Sequence, residues 1–443
     1  MSTSPEFVVK QVSFPFQQSG QAPSHTSSRL NITAQNSITV NMVHHFVDQS
    51  LSYGNAAEAT ILEAIAHDPT CAIAHAYAAA YYLSQETAPA RRQVKSHIEL
   101  AQQQAVNVTQ RERWYIEAIA AWAVGAIDRA IALHEAITDE YPQDLMAVQQ
   151  AQYHYFYLGN SARLLQVAQK VEAANRDSDF FYGMLAFGYE QTRQLKAATA
   201  AAQRAIALNH NDPWAHHAIA HILETQQRVE EGIAWAREFS DTWNTCNSML
   251  YTHNWWHTAL FYLANDDVQS VLDLYDTHVW GGARKASPKD QVGAIALLLR
   301  LELRYGDRTL SETLQKRWHS LGNAVLERAK EHALPFQDLH FIYALDRAGY
   351  RFQADEMLDS MQAHLETLSS DLQQTWVHIA LPAARGMMAH AQGDWPQAVT
   401  ELKPVLSKLW VLGGSPTQRQ LFKQVYRDAL VKTKSNPAFR AAS

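Results

Sequence analysis

The sequence predicts an all-α fold, a right-handed superhelix of stacked helical hairpins. Three observations carry this. Glycine and proline are sparse (17 and 14 of 443 residues) while alanine-rich stretches recur, a composition that favours helix over sheet. Amphipathic stretches of roughly 12–16 residues alternate with short turn signals, a helical-hairpin rhythm. Small residues return at the same places about every 34 residues, the mark of a repeat array.

In chain order, residues 1–35 are rich in Ser, Gln and Thr and carry Pro5, Pro15 and Pro23, which predicts an irregular arm. Ser37 is the expected cap of a first helix running to Leu51. A single helical array is then expected over 36–433, followed by a flexible tail over 434–443. Its breaks are Asp68-Pro69, Asp139-Glu-Tyr-Pro142, Asn211-Asp-Pro213, Gly281-Gly282, Gly306-Asp307, Gly349-Tyr350 and Gly393-Asp394.

Units in one register span 111–144, 145–178, 179–212 and 213–246. Position 8 holds Ala118, Ala186 and Ala220, with Gln152 the exception. Gly125 and Gly159 fall at the turn, and Pro142 near the unit's end. This is the tetratricopeptide pattern, in which small residues let the two helices of a hairpin approach closely. A further unit fits from Tyr251 after a shift of four residues, and later ones near Pro335 and Ile379; between Leu310 and Leu334 the frame is loose. In such arrays the first helix of each hairpin lines the concave wall. Those positions hold Tyr115, Ile119 and Trp122, then Gln149, Gln150, Tyr153 and Phe156. Met184, Phe187 and Glu190 follow, and then Trp214, His217, His221 and Glu224.

The net charge of −7 argues against nucleic acid and anionic membrane as partners. Cys71 and Cys246, without a CxxC, fit a reducing compartment and no disulfide framework. No basic segment followed by an apolar one opens the sequence, and the best apolar run, Val292–Leu303, is cut by Arg300 and Glu302. A cytoplasmic protein is expected.

Several runs carry a resemblance. Arg111-Glu-Arg-Trp114, Ala186-Phe-Gly188, Asp212-Pro-Trp-Ala-His-His-Ala-Ile-Ala-His221, His253-Asn-Trp-Trp-His-Thr-Ala-Leu260 and Leu274-Tyr-Asp276 resemble the tetratricopeptide repeat protein thirty-eight family. Phe336-Gln-Asp-Leu-His340 and Gly413-Gly-Ser-Pro-Thr-Gln-Arg-Gln-Leu-Phe422 extend the likeness, which covers roughly residues 36–430. The last run departs from the family's Gly-Gly-Ser-His-Ala-Gln-Arg-Asp: Pro416 and Thr417 replace His-Ala, and Gln420 replaces Asp. The resemblance implies the helical-repeat fold and no stated activity.

The candidate chemistry centres on two histidine pairs. His217 and His221, at i,i+4, share a helix face, with Glu224 one turn on. His253 and His257 repeat the spacing on the next unit's first helix. Four converging imidazoles can hold a divalent transition ion such as zinc or iron, line a metal-free polar pocket, or satisfy one another in the packing. His216, rotated off that face, is expected to pack. One of Trp255 and Trp256 is expected to form an aromatic wall beside the pair, Trp255 being the one assigned to it, and at least one to be core. Asp276, in Tyr275-Asp-Thr-His278, is either a base that orients a histidine or an exposed helix-end acid. His340 is expected to face the groove. In Gly413–Arg419, Ser415 is the expected helix cap, and Arg419 either clamps an anion or ties down its own loop.

Catalytic roles are therefore expected for His217, His257, Glu224 and Asp276. Ligand contacts are expected for Tyr153, Phe187, Trp214, His221, His253, Trp255, His340 and Arg419. The functional expectation is a concave pocket for a small organic or peptide-like ligand, with chemical action on that ligand within reach. The alternative is a scaffold that holds a partner protein's peptide along the groove.

Overall fold

A computed structural model describes residues 30–305 and 310–435; among these there are helices and short connections but no strand. The expected arm (1–35) and tail (434–443) fall for the most part outside the described residues, as does the break at Gly306-Asp307.

The helices follow one another as hairpins. α1 (Ser37–Leu51) packs on α2 (Ala57–His67), and α3 (Ala72–Ser84) on α4 (Ala88–Gln104). Next come α5 (Gln110–Ala123) with α6 (Ile127–Glu140), and α7 (Leu145–Tyr157) with α8 (Ser161–Gln169). α9 (Phe181–Gln191) pairs with α10 (Leu195–Leu208), and α11 (Pro213–Thr225) with α12 (Val229–Phe239). α13 (Ser248–Ala264) is followed by α14 (Val268–Leu274), and α15 (Pro288–Tyr305) by α16 (Ser311–Val325). The last are α17 (Pro335–Arg347) with α18 (Arg351–His364), the short α19 (Ser370–Thr375), α20 (Leu381–Gln392) with α21 (Trp395–Leu402), and α22 (Pro416–Ser435).

Local chemistry sets the helix starts. Asn36, not Ser37, caps α1, because its side chain accepts the Thr39 N–H. Thr109 and Glu112 form a reciprocal capping box on α5. Asp144 caps α7 and takes a buried ion pair from Arg111 at 2.9 Å, which fastens successive hairpins together. α13 begins at Ser248, three residues before the unit start read at Tyr251, because Asn247 accepts the Leu250 N–H. Ala118, Ala186 and Ala220 are fully buried, where a larger side chain would push the helices apart. Gln152 occupies the equivalent place in α7 and still fits, since its Nε2 donates to the Leu164 and Met184 carbonyls.

The core divides at α13. One apolar cluster runs from α1 to Phe261 of α13, a second from Trp256 to α22, and Ala389, Ala398 and Ala429 form a small third. Trp255 and Tyr262 pack against the first two.

The array turns back on itself. The α3–α4 turn reaches α7, α15 and α17 through Glu86. This buried carboxylate accepts from Tyr153 Oη (2.6 Å), Tyr157 Oη (2.8 Å) and Gln337 Nε2, and pairs with Lys289 Nζ at 3.2 Å. Lys289 also donates to the Ser84 carbonyl, and the Ala88 N–H donates to Glu331. Glu86 holds φ at +58°, a region that costs a non-glycine residue energy and persists where surroundings over-determine it. A second junction joins the α1–α2 turn to the loop before α13: Asn55 N–H donates to the Thr245 carbonyl, and Asn247 N–H to that of Tyr53. Among the described residues no helix is long and apolar enough to cross a membrane.

Replacing Glu86 with Ala strands two tyrosine hydroxyls, an amide and an ammonium at once. The expected result is a loss of about 3 kcal/mol of stability, read as a lower urea midpoint, with a larger radius of gyration by X-ray scattering before global unfolding.

Candidate functional site

The junctions border a half-open central cavity of about 470 Å³, lined by residues of α1, α2, α3, α7, α9, α11, α13, α15, α17 and α22. Its apolar wall is Tyr53, Phe156, Phe187, Trp214 and Phe336, with Tyr153 and Tyr157 toward the Glu86 junction. Tyr53 stacks on Trp214 with ring centroids 4.8 Å apart. Exposed Asn55 and Arg284 mark where the cavity meets solvent, and buried His217 and His221 mark its inner end.

α11 is aimed by its first residues. Asp212 accepts the Trp214 and Ala215 N–H groups at 2.9 and 3.2 Å, and Pro213 presets the first helical φ. His216 faces the packing side, as its rotation from His217 requires: it contacts the His210 carbonyl and accepts the Trp243 indole N–H. His217 and His221 face α13, and there meet His253 and His257. One ring nitrogen of each lies within 4.8 Å of the others'. His217 Nε2 and His221 Nε2 are 3.0 Å apart, and the His221–His257 ring centroids 4.6 Å.

Carboxylates stand behind two of the rings. Glu224 Oε2 lies 3.2 Å from His257 Nδ1, and Glu190 Oε2 lies 3.8 Å from His221 Nδ1. Burial, then the charge that neighbouring histidines would add, holds His217 and His257 far below the usual imidazole range. Burial likewise brings His253 to about 3. Burial pushes Glu224 up to about 7, opposed in part by Arg300. The rings are neutral imidazoles at physiological pH, each with a lone pair to offer.

The other expected site residues divide. Tyr153, Phe187, Trp214, His221 and His253 line the cavity. His257 closes the cluster from behind it. Four expectations are corrected. Trp255 lies outside the cavity wall, its ring stacked on His278 at 3.9 Å and edge-on to Trp243, because its helical face points to the seam between the two cores. Asp276, on a π-helical turn (Tyr275–Val279), is half-exposed and ion-paired with Arg317, so it orients no histidine of the cluster. His340 is buried between Phe336 and Phe422, and its Nδ1–H donates to the Phe336 carbonyl at 2.8 Å. Arg419 donates to the Gly413 and Gly414 carbonyls, tying down its own loop, while Ser415 and Gln418 form the expected cap. Tyr115 and Ile119 are core, because the first registered unit sits off the cavity.

Sequence reasoning missed Glu86, Tyr53 and Gln337, whose roles come from distant partners. It missed Arg300 despite a signal, a lone cation in an apolar run. Arg300 is buried, lies over the Trp256 ring at 5.2 Å, and donates to the Ala296 and Thr417 carbonyls.

No known family's sequence profile matches the chain. The solved structure titled "Human IFIT1 dimer with m7Gppp-AAAA" is similar at 13% identity, covering 91% of this chain and 88% of that chain, with a TM-score of 0.44. A likeness that distant transfers no ligand and no family to this chain.

Asp212 generates a pH-dependent expectation. Burial raises its pKa to about 7, against about 3.9 in an unfolded chain. The folded state therefore keeps the proton longer, and stability falls as pH rises from the unfolded value through the folded one. Asp212→Asn keeps a capping oxygen but cannot ionise. Thermal melts should show the variant gaining on the wild type between about pH 4 and about pH 8, by an amount on the order of a few kcal/mol.

Proposed function

We propose that this helical-repeat protein binds a compact organic or peptide-like molecule in its central cavity, with the ligand's reactive or polar end against His217, His221 and His253. The observation that carries this reading is the cavity itself, about 470 Å³ with an aromatic wall and a histidine end. That size and composition match sites that bury small molecules. Gln150, whose buried Oε1 has no partner, offers an acceptor to an N–H of the ligand, and Gln149 lies beside it on the wall. Such a mix of flat apolar faces and amide groups suits an aromatic or amide-bearing ligand.

In this reading Tyr153, Phe187 and Trp214 position the ligand, and His217, His221 and His253 present ring nitrogens to it, with His257 and Glu224 behind them. The likeness to the tetratricopeptide repeat protein thirty-eight family belongs to the same reading, since two of its runs, Asp212–His221 and His253–Leu260, fall on α11 and α13. A partner peptide threaded along an open groove is less well supported, because the Glu86 junction and the Tyr53–Asn247 contact cross the concave side.

The test is a thermal-shift screen of dipeptides, N-acyl amino acids and aromatic amides against the wild type and Met249→Trp. Met249 lines the cavity from α13's first turn, and the larger ring fills space there. At least one of these classes should raise the melting temperature of the wild type and not of the variant. Binding that survives the substitution, or that needs peptides of about ten residues or more, would count against the proposal.

A further inference from the structure

We propose that His217, His221, His253 and His257 together bind a divalent first-row transition ion, zinc or iron(II), at the inner end of the cavity, where a bound ligand meets it. The second half of this statement rests on the cavity reading above; the ion site stands on its own geometry.

Two i,i+4 pairs on adjacent helices bring four potential ligand nitrogens within 4.8 Å of one another. His217 Nε2 and His221 Nε2, at 3.0 Å, are near the separation of about 3.3 Å that two nitrogens bound at about 2.0–2.1 Å to one tetrahedral ion would have.

His257 Nε2, on the cluster side of its ring, is buried with no hydrogen-bond partner. Packing alone leaves that nitrogen unsatisfied, which costs free energy. The tautomers show where the lone pairs lie. His257 Nδ1–H faces Glu224, so its unpartnered Nε2 is the basic nitrogen. Glu190 lies on the Nδ1 side of His221, leaving its Nε2 toward the cluster. Gln191 Nε2 in turn holds Glu190 at 2.6 Å. A carboxylate behind a ligand histidine fixes its ring and raises its basicity.

The donor set is all imidazole, with neither Cys71 nor Cys246 in the cluster, and with carboxylates behind two of the rings. Imidazole suits zinc and iron, whereas calcium and magnesium require oxygen. Arg300 opposes a cation here, but the Glu224 carboxylate faces it and its guanidinium is committed to two carbonyls. His217, His221 and His253 border the cavity while His257 does not, so a fifth ligand that expands the four-histidine shell would come from the cavity side.

The experiment uses the full chain, stripped with a chelator and then titrated with zinc(II), iron(II) or cobalt(II). Metal content is read by mass spectrometry, and the cobalt form by its visible ligand-field bands. Stoichiometric binding is expected, with a spectrum of nitrogen ligation. His217→Ala and His257→Ala should each lose most of the affinity. His216→Ala, buried beside the cluster but outside it, should keep the ion. Should the histidine variants fail to fold by circular dichroism, Glu224→Gln keeps all four ligands and should weaken binding about 10–100-fold. No stoichiometric uptake by the wild type, or uptake unchanged in a folded His217→Ala/His257→Ala protein or in Glu224→Gln, overturns the ion. If the ion fails while the Met249-sensitive thermal shift persists, the cavity reading stands alone. If the ion binds and no such shift exists, the site stands and the cavity reading falls.

Discussion

A single carboxylate ties distant helices of the array together across a half-open cavity. Glu86 sits in a left-handed turn between α3 and α4 and gathers groups from α7, α15 and α17. Helical repeats contact only their neighbours, so their concave face is ordinarily a groove. Here the contacts that span the concave side make it a half-open cavity. Burial of Glu86 would be costly without its cation and hydroxyl partners. That cost is met only when distant helices are in place, which makes the closure depend on the whole stack.

The interior is then chemically graded. Near the Glu86 junction its polar groups are committed to one another. The middle is aromatic and offers area rather than direction. The inner end has the reverse character: His257 Nε2, on the cluster side of its ring, is a nitrogen that nothing in the packing satisfies. Proteins normally pair buried polar atoms. An unpaired nitrogen among three other imidazoles, with Glu224 behind its ring, is what the proposed ion would satisfy.

What the sequence revealed follows from what is local. Alanines at hairpin crossings identify the stack, because close approach depends on the residue at the crossing. His217 with His221, and His253 with His257, were legible because i,i+4 spacing fixes a shared face, and the repeat register places the two helices side by side. Trp255, Asp276, His340 and Arg419 were misplaced for a common reason. A position on a helix fixes the direction of a side chain but not what stands opposite. Trp255 points at a seam between two cores, and Arg419 finds its own loop's carbonyls before any anion. Glu86 could not be read at all, since its partners lie 67 to 251 residues away.

The closure also bears on how such a chain can change over evolutionary time. Open solenoids grow and shrink by whole repeats, since each added unit needs only its two neighbours. In this protein the turn at Glu86 must meet Lys289 and Gln337 at fixed distances. Gaining or losing one hairpin between them would carry the two sides of that junction apart by a full repeat. Its repeat number is therefore a locked dimension, and diversity has to come by substitution on the inner wall.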